Sequence, residues 1–267
     1  MGDNGFLDVS WEGPVAVLTI GRPEVLNALN GDMLTSLIEV LRTGSADPSV
    51  RAIVLTGAGR AFMAGADVRM MASASLSEFR RFVEDIQELT RVVRSSSVPV
   101  IAAVNGVAAG AGCEIACACD MRVASRTAAF SFPETRIGLT VTSGASWLLP
   151  RLVGRGWARR MLLTGETVEA EEAYRIGLVD GVSEPEQVVA MAVALGRRLA
   201  GTEPLALRLS RRLLDAADES SLETALRHEV ETILSCVSEG QAREGLGAFL
   251  EKREPSYRCA PDEVVHP

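Results

Sequence analysis

The stretch Asn105-Gly-Val-Ala-Ala-Gly-Ala-Gly-Cys-Glu114 constrains this chain more than any other segment. A strand-like run, Val98 to Val104, feeds a loop of glycines and alanines, and the loop opens a helix whose first turn carries a carboxylate. A loop this small leaves backbone N–H groups bare and convergent at a helix N-terminus, where the dipole favours negative charge. Such amides can hold a developing oxyanion without any side chain. Twenty residues beyond Glu114 a second carboxylate, Glu134, follows Phe132-Pro133. Two carboxylates beside an anion-holding loop are equipped to move protons.

Flanking segments set this loop in an α/β frame. Asp8 to Ser10 and Val15 to Ile20 read as strands joined by a turn at Glu12-Gly-Pro14. Asp32 to Arg42 has helical spacing with Asn30 or Asp32 as cap, and Ala52 to Thr56 is a buried strand. A polar loop then leads to a helix from about Ser77 to Arg94, apolar at Phe79, Phe82, Val83, Ile86 and Leu89. Met121 to Ser125 and Ala128 to Phe130 read as strands. After Gly138 the pattern is mostly helical, interrupted by a short strand at Leu178 to Val182. Strand–helix alternation followed by helices alone suggests repeated β-β-α units and a helical C-terminal region. The division falls at residues 1–200 and 201–267.

Five segments in order carry a family resemblance: Gly21 to Asn30, Ala61 to Val68, Asn105 to Asp120, Phe132-Pro-Glu134 and Ala248 to Arg253. Through them the chain resembles the crotonase (enoyl-CoA hydratase/isomerase) family over nearly its whole length. The resemblance implies a crotonase-like α/β fold and an acyl-CoA substrate. It implies a thioester oxygen held by the backbone N–H groups of Ala66 and Ala111. The family usually has Gly at position 111, and Ala is harmless there unless φ must be positive. By the same resemblance Glu114 orients and deprotonates a water, and Glu134 delivers a proton to the α carbon. Coenzyme A falls to Ala64, Asp67 and Lys252, the chain's single lysine. An ammonium suits a phosphate as a point charge. Asp67, beside a donor, reads as a loop-building rather than a catalytic residue. The C-terminal helices imply a homotrimer or a dimer of trimers, and cover for the active site.

One segment departs from the hydratase pattern. Val141-Thr-Ser-Gly-Ala-Ser146 and Trp147-Leu-Leu-Pro-Arg151 replace its usual Gly-rich run, and Thr142 stands where a Gly N–H commonly supports the catalytic water. Thr142 and Trp147 are therefore candidates for the water or acyl pocket, and the Trp147 run looks more like isomerase-type relatives. Hydration of a 2-enoyl-CoA is the first expectation. A double-bond isomerase and a non-catalytic binding protein on the same scaffold are the alternatives.

Composition excludes other classes. A net charge of −8 argues against a nucleic-acid surface. Gly110-Ala-Gly112-Cys-Glu-Ile115 lacks the third Gly of a dinucleotide fingerprint, and no Gly-x-Ser-x-Gly elbow occurs. Cys113, Cys117 and Cys119 have the wrong spacing for a metal knuckle and read as small buried thiols. No metal and no separate cofactor are expected, with coenzyme A entering as part of the substrate. Val98 to Cys119 is broken by Pro99, Asn105 and Glu114 and does not read as a membrane span. With no signal peptide legible at Met1 to Phe6 and no disulfide pattern, a cytoplasmic location is expected.

Overall fold

Two sheets share the strands, and each repeat of the sequence contributes one strand to each. The computed structural model describes residues 5–217 and 220–257. Of the N-terminal segment read above, Met1 to Asn4 lie outside them. Strands β1 (Leu7–Glu12) and β2 (Val15–Ile20) form an antiparallel hairpin, paired from Leu7 with Ile20 to Glu12 with Val15. Helix α1 (Gly31–Ala46) follows, and the Asn30 side chain accepts the Met33 amide at 2.9 Å. That is an N-cap, and it settles the choice between Asn30 and Asp32.

Next come β3 (Ala52–Gly57), β4 (Ala61–Met63), the short α2 (Val68–Ser73) and α3 (Leu76–Ser95). A capping box of Ser75 and Glu78 starts α3. The second repeat is β5 (Val100–Val104), β6 (Val107–Ala109) and α4 (Ala111–Ala118). The third is β7 (Met121–Ser125), β8 (Ala129–Ser131) and α5 (Ala145–Thr164), which breaks at Gly154 where φ is +75°. Then β9 (Val168–Glu169), α6 (Ala170–Arg175), β10 (Gly181–Ser183) and α7 (Val188–Ala200) complete the order.

The larger sheet runs β1-β2-β3-β5-β7-β10, parallel from β2 onward, and the smaller runs β4-β6-β8-β9. Burial follows this layering: every residue of β3 and β5 is buried, as expected of a parallel sheet covered on both faces. The sequence reading missed β4, β6, β9 and α2. Their two- to six-residue lengths leave no room for a period to show. The strand expected at Leu178 to Val182 forms later, at Gly181–Ser183, with Leu178 and Val179 buried ahead of it.

The chain divides into two compact units at Gly196 and Arg197. The second unit holds α8 (Pro204–Ala217), α9 (Leu222–Ser238) and α10 (Ala242–Glu251). Ile233, Phe249 and Leu250 on its helices are 60–82% exposed. No described helix is long and apolar enough to cross a membrane.

Glycine decides where α4 can sit. A Cβ on Gly112 would lie 1.9 Å from the Met63 carbonyl oxygen, so only hydrogen fits between α4 and the end of β4. Gly57 and Gly106 are similarly tight, 2.1 Å from the Ala61 and Arg60 carbonyl oxygens. Gly112→Ala is expected to destabilise the protein by roughly 1–3 kcal/mol or more, as overpacking against backbone does. Gly156, exposed on α5, has nothing within 4 Å of a Cβ. Gly156→Ala should instead be neutral or stabilising by about 0.4–1 kcal/mol. Urea denaturation of the two variants checks the contrast.

Candidate active site

The contact at Gly112 brings two loops together. As β4 ends, the Ala64 amide donates to Leu26 O at 3.0 Å. Leu29 N donates to Gly65 O and Asp67 N donates to Leu29 O, both at 2.8 Å. Those bonds bracket Ala66 in a one-residue parallel bridge to Leu29, so the Ala66 N–H faces away from Leu29. Asn27 and Asn105 brace the approach from outside. Asn27 Nδ2 donates to Ala61 O at 2.8 Å, and Asn105 Nδ2 donates to Gly59 O at 2.9 Å.

Opposite stands the start of α4. Gly110 is anchored by its amide to Ser131 O at 3.0 Å and turns the chain with φ of +51°. Ala111 takes the first helical position, where an amide has no intrahelical acceptor. The loops touch: a Cβ on Gly65 would lie 3.1 Å from Ala109 O and 3.8 Å from Ala111 N. The positive φ falls on Gly110, not on Ala111, so alanine at 111 carries no backbone strain.

Glu114 lies on the first turn of α4 and is 1% exposed. Its Oε1 accepts from the amides of Thr142 at 2.7 Å and Ser143 at 3.1 Å, and its Oε2 accepts from Thr142 Oγ1 at 3.2 Å. Three donors satisfy a buried carboxylate that would otherwise be costly. Glu134 sits in the 3-10 turn Pro133–Ile137, and its environment is the opposite. Its Oε2 is buried and has no partner among the described residues. Its Oε1 would be 2.9 Å from a Cβ on Gly110, so a side chain there, already strained by the positive φ, would push the carboxylate aside. Burial pushes Glu134 up to about 7, against a lowering backbone hydrogen bond, and the negative charge of Glu114 adds to the rise.

Both carboxylates border one cavity of about 180 Å³, together with Ala64, Ala66 and Ala111. Its other walls are apolar, built largely by Phe79, Phe82, Val83 and Ile86 on α3. The site thus pairs a buried carboxylate held by three donors with one whose Oε2 has no partner among the described residues, beside two convergent amide loops. That arrangement can hold an oxyanion and pass a proton.

The remaining candidates are dispersed. Asp67 accepts from Arg69 N at 3.1 Å as the cap of α2 and lies 3.6 Å from Arg22, which matches a loop-building role. Thr142 meets Glu114 directly and lines the cavity. Trp147 does not line it: on α5 its ring packs against the core and beneath Arg151, 3.7 Å from ring centre to guanidinium carbon. Lys252 ends α10 in the second unit, exposed and with φ of +55°. Cys113, Cys117 and Cys119 are free and buried, and burial pushes Cys119 up to about 12. Among the described residues no cluster of His, Cys, Asp or Glu is placed to hold a metal. Sequence reasoning missed the Ser143 amide, 29 residues from Glu114, because no local pattern marks a backbone donor at that separation.

Comparison with known proteins shows the family and the fold. The family described as Enoyl-CoA hydratase/isomerase matches residues 11–259. A "Crotonyl-CoA hydratase" of Syntrophomonas wolfei is 38% identical over 92% of this chain and 95% of its own. A "Short-chain-enoyl-CoA hydratase" of Clostridium acetobutylicum is 40% identical over 91% of this chain and 94% of its own. The crystal structure of an enoyl-CoA hydratase from Bacillus anthracis superposes with a TM-score of 0.92 at 32% identity, covering 95% of this chain and 99% of that one. The match over residues 11–259 and the relatives at 38% and 40% identity show that the chain belongs to the enoyl-CoA hydratase/isomerase family.

Proposed function

We propose that this protein is an enoyl-CoA hydratase, adding water reversibly across the double bond of a 2-enoyl-CoA to give a 3-hydroxyacyl-CoA. The observation that carries the reading is the pair Glu114 and Glu134 on one cavity, with unlike surroundings. The names of the relatives support it.

In this reading the thioester oxygen lies between the Ala66 and Ala111 amides, which stabilise the enolate as negative charge moves onto it. Glu114 takes a proton from a water held between the carboxylates, and the water oxygen attacks C3. Glu134, protonated below about pH 7, gives its proton to C2. Both groups face one side of the substrate, so addition is syn. The pair begins and ends with one proton shared between two carboxylates, and only its location changes. Coenzyme A arrives as the substrate's carrier, and no separate cofactor takes part. Ala64 and Asp67 belong to the coenzyme A side of the loop. Lys252 meets a phosphate of the coenzyme A bound by a neighbouring subunit of a cytoplasmic homotrimer or dimer of trimers.

Glu114→Gln and Glu134→Gln should each lower kcat by roughly 10²–10⁴, the usual worth of a positioned acid or base. The double variant should lose far less than the product, because the two act as a unit. Mass analysis in oxygen-18 water decides the reaction: a hydratase labels the 3-hydroxyacyl product. An enzyme that shifts 3-enoyl to 2-enoyl thioesters without label is an isomerase instead.

The protonation of Glu134 sets a pH dependence. Its folded-state value lies above that of the unfolded chain, so the proton it holds stabilises the fold fully below about pH 4.5 and no longer above about 7. The same proton is the one delivered to C2. The kcat/KM for hydration should therefore fall as pH rises through about 7, and Glu134→Gln should abolish that limb. A pH–rate profile of the two proteins measures it.

Lys252→Ala should raise KM for the coenzyme A thioester and leave kcat nearly unchanged. Sedimentation of an active, stable monomer would contradict the assembly.

A further inference from the structure

We propose that Gln87 and Thr90 of α3 are positioning residues for Glu114: Gln87 grips the peptide unit whose Ser143 N–H holds its carboxylate, and Thr90 grips the unit that follows. The inference rests on the hydratase reading for its catalytic consequence, though not for its geometry. The Thr142 carbonyl and the Ser143 N–H are the two ends of one planar trans peptide and point in opposite directions. Gln87 Nε2 donates to the oxygen end at 3.2 Å. The N–H end donates to Glu114 Oε1 at 3.1 Å. Thr90 Oγ1 donates to the next carbonyl, that of Ser143, at 3.3 Å. Two half-buried side chains of one helix thus clamp two consecutive peptide planes from behind, and Glu114 meets the first of them from the front.

The chain holds the segment on its far side, where the Gly144 carbonyl accepts from the Trp147 and Leu148 amides at 2.9 and 2.8 Å. The Ser143 hydroxyl is buried and has no partner among the described residues, so it does not tie the loop down. Gly144, next in sequence, has φ of +85° and no side chain to pack. With the carbonyl released, rotation about the flanking dihedrals would swing the Ser143 N–H off Glu114. A donor on the carbonyl also polarises the unit and strengthens its N–H. The clamp is rigid because α3 is anchored elsewhere. Val83 and Ile86, one turn before Gln87 and Thr90, are cavity walls, and Leu89 is fully buried.

Gln87→Met removes the donor and keeps the length. Hydrogen exchange, read by mass spectrometry on fragments carrying the Thr142 and Ser143 amides, should become about tenfold faster in this variant. Unchanged exchange overturns the clamp, whatever reaction the enzyme runs. With crotonyl-CoA, kcat should fall on the order of tenfold while KM stays within about twofold, as expected of a misplaced base. Thr90→Val should act in the same direction, and Thr90→Ser, which keeps the hydroxyl, should recover most of the lost turnover. The deciding comparison is in the Glu114→Gln background, where Gln87→Met should cost less than about twofold. An equal loss in both backgrounds makes Gln87 a merely structural residue and overturns the proposal. A parent protein that forms no hydroxyacyl product refutes the hydratase reading alone, and the exchange measurement still decides the clamp.

Discussion

Everything at this site hangs on the contact between Gly112 and the Met63 carbonyl. With 1.9 Å available where a Cβ would stand, helix α4 meets strand β4 backbone to backbone. Helix start and strand end come from different repeats and different positions in the sequence. Their approach sets Ala64–Ala66 against Gly110–Ala111, and it puts Glu114, two residues past Gly112, beside the same gap. Small residues in this stretch are thus a geometric requirement before they are a chemical one. The bare amides follow from the packing, since nothing else fits close enough to cover them.

The carboxylates show how one fold separates two similar groups. Glu114 and Glu134 border the same cavity, and Glu114's charge raises Glu134. Their difference lies in donors. Thr142 and Ser143 direct two amides and a hydroxyl at Glu114, and no described residue directs anything at Glu134 Oε2. Burial disfavours the charged form of Glu134 by more than its one backbone hydrogen bond favours it. The fold thereby supplies an acceptor and a proton reservoir within one pocket, from two side chains of the same kind. An unpartnered buried carboxylate oxygen costs stability, which is the usual signature of a group kept for chemistry rather than for folding.

The sequence was legible where chemistry is local. The glycine loop, the two glutamates and the long helices α1 and α3 announce themselves through residue type and period. Even the two-piece character of α5 is visible, because Gly154 interrupts it. Three strands of the second sheet, β4, β6 and β9, were not legible, although β8 was read at Ala128 to Phe130. Its strands are two or three residues long, and pairing across repeats, not local preference, makes them strands. Trp147 shows a different limit: a large aromatic near a departure from the family pattern reads as pocket-lining, yet its ring lies under Arg151, away from the cavity. Nothing in sequence spacing separates those two destinations.

Thr142 marks where the departure from the family pattern acquires a physical meaning. Read as a sequence, a threonine in place of glycine casts doubt on the water site. In the fold its amide and its hydroxyl both donate to Glu114, so the substitution adds a donor and removes none. The β-branched side chain also has fewer rotamers than glycine has backbone states, which stiffens the segment that α3 grips from behind. The change therefore bears on how firmly Glu114 is held, not on whether the pocket can house the reaction. A glycine at this position would leave the carboxylate with two amide donors in place of three bonds, and would make it more dependent on the clamp from Gln87 and Thr90.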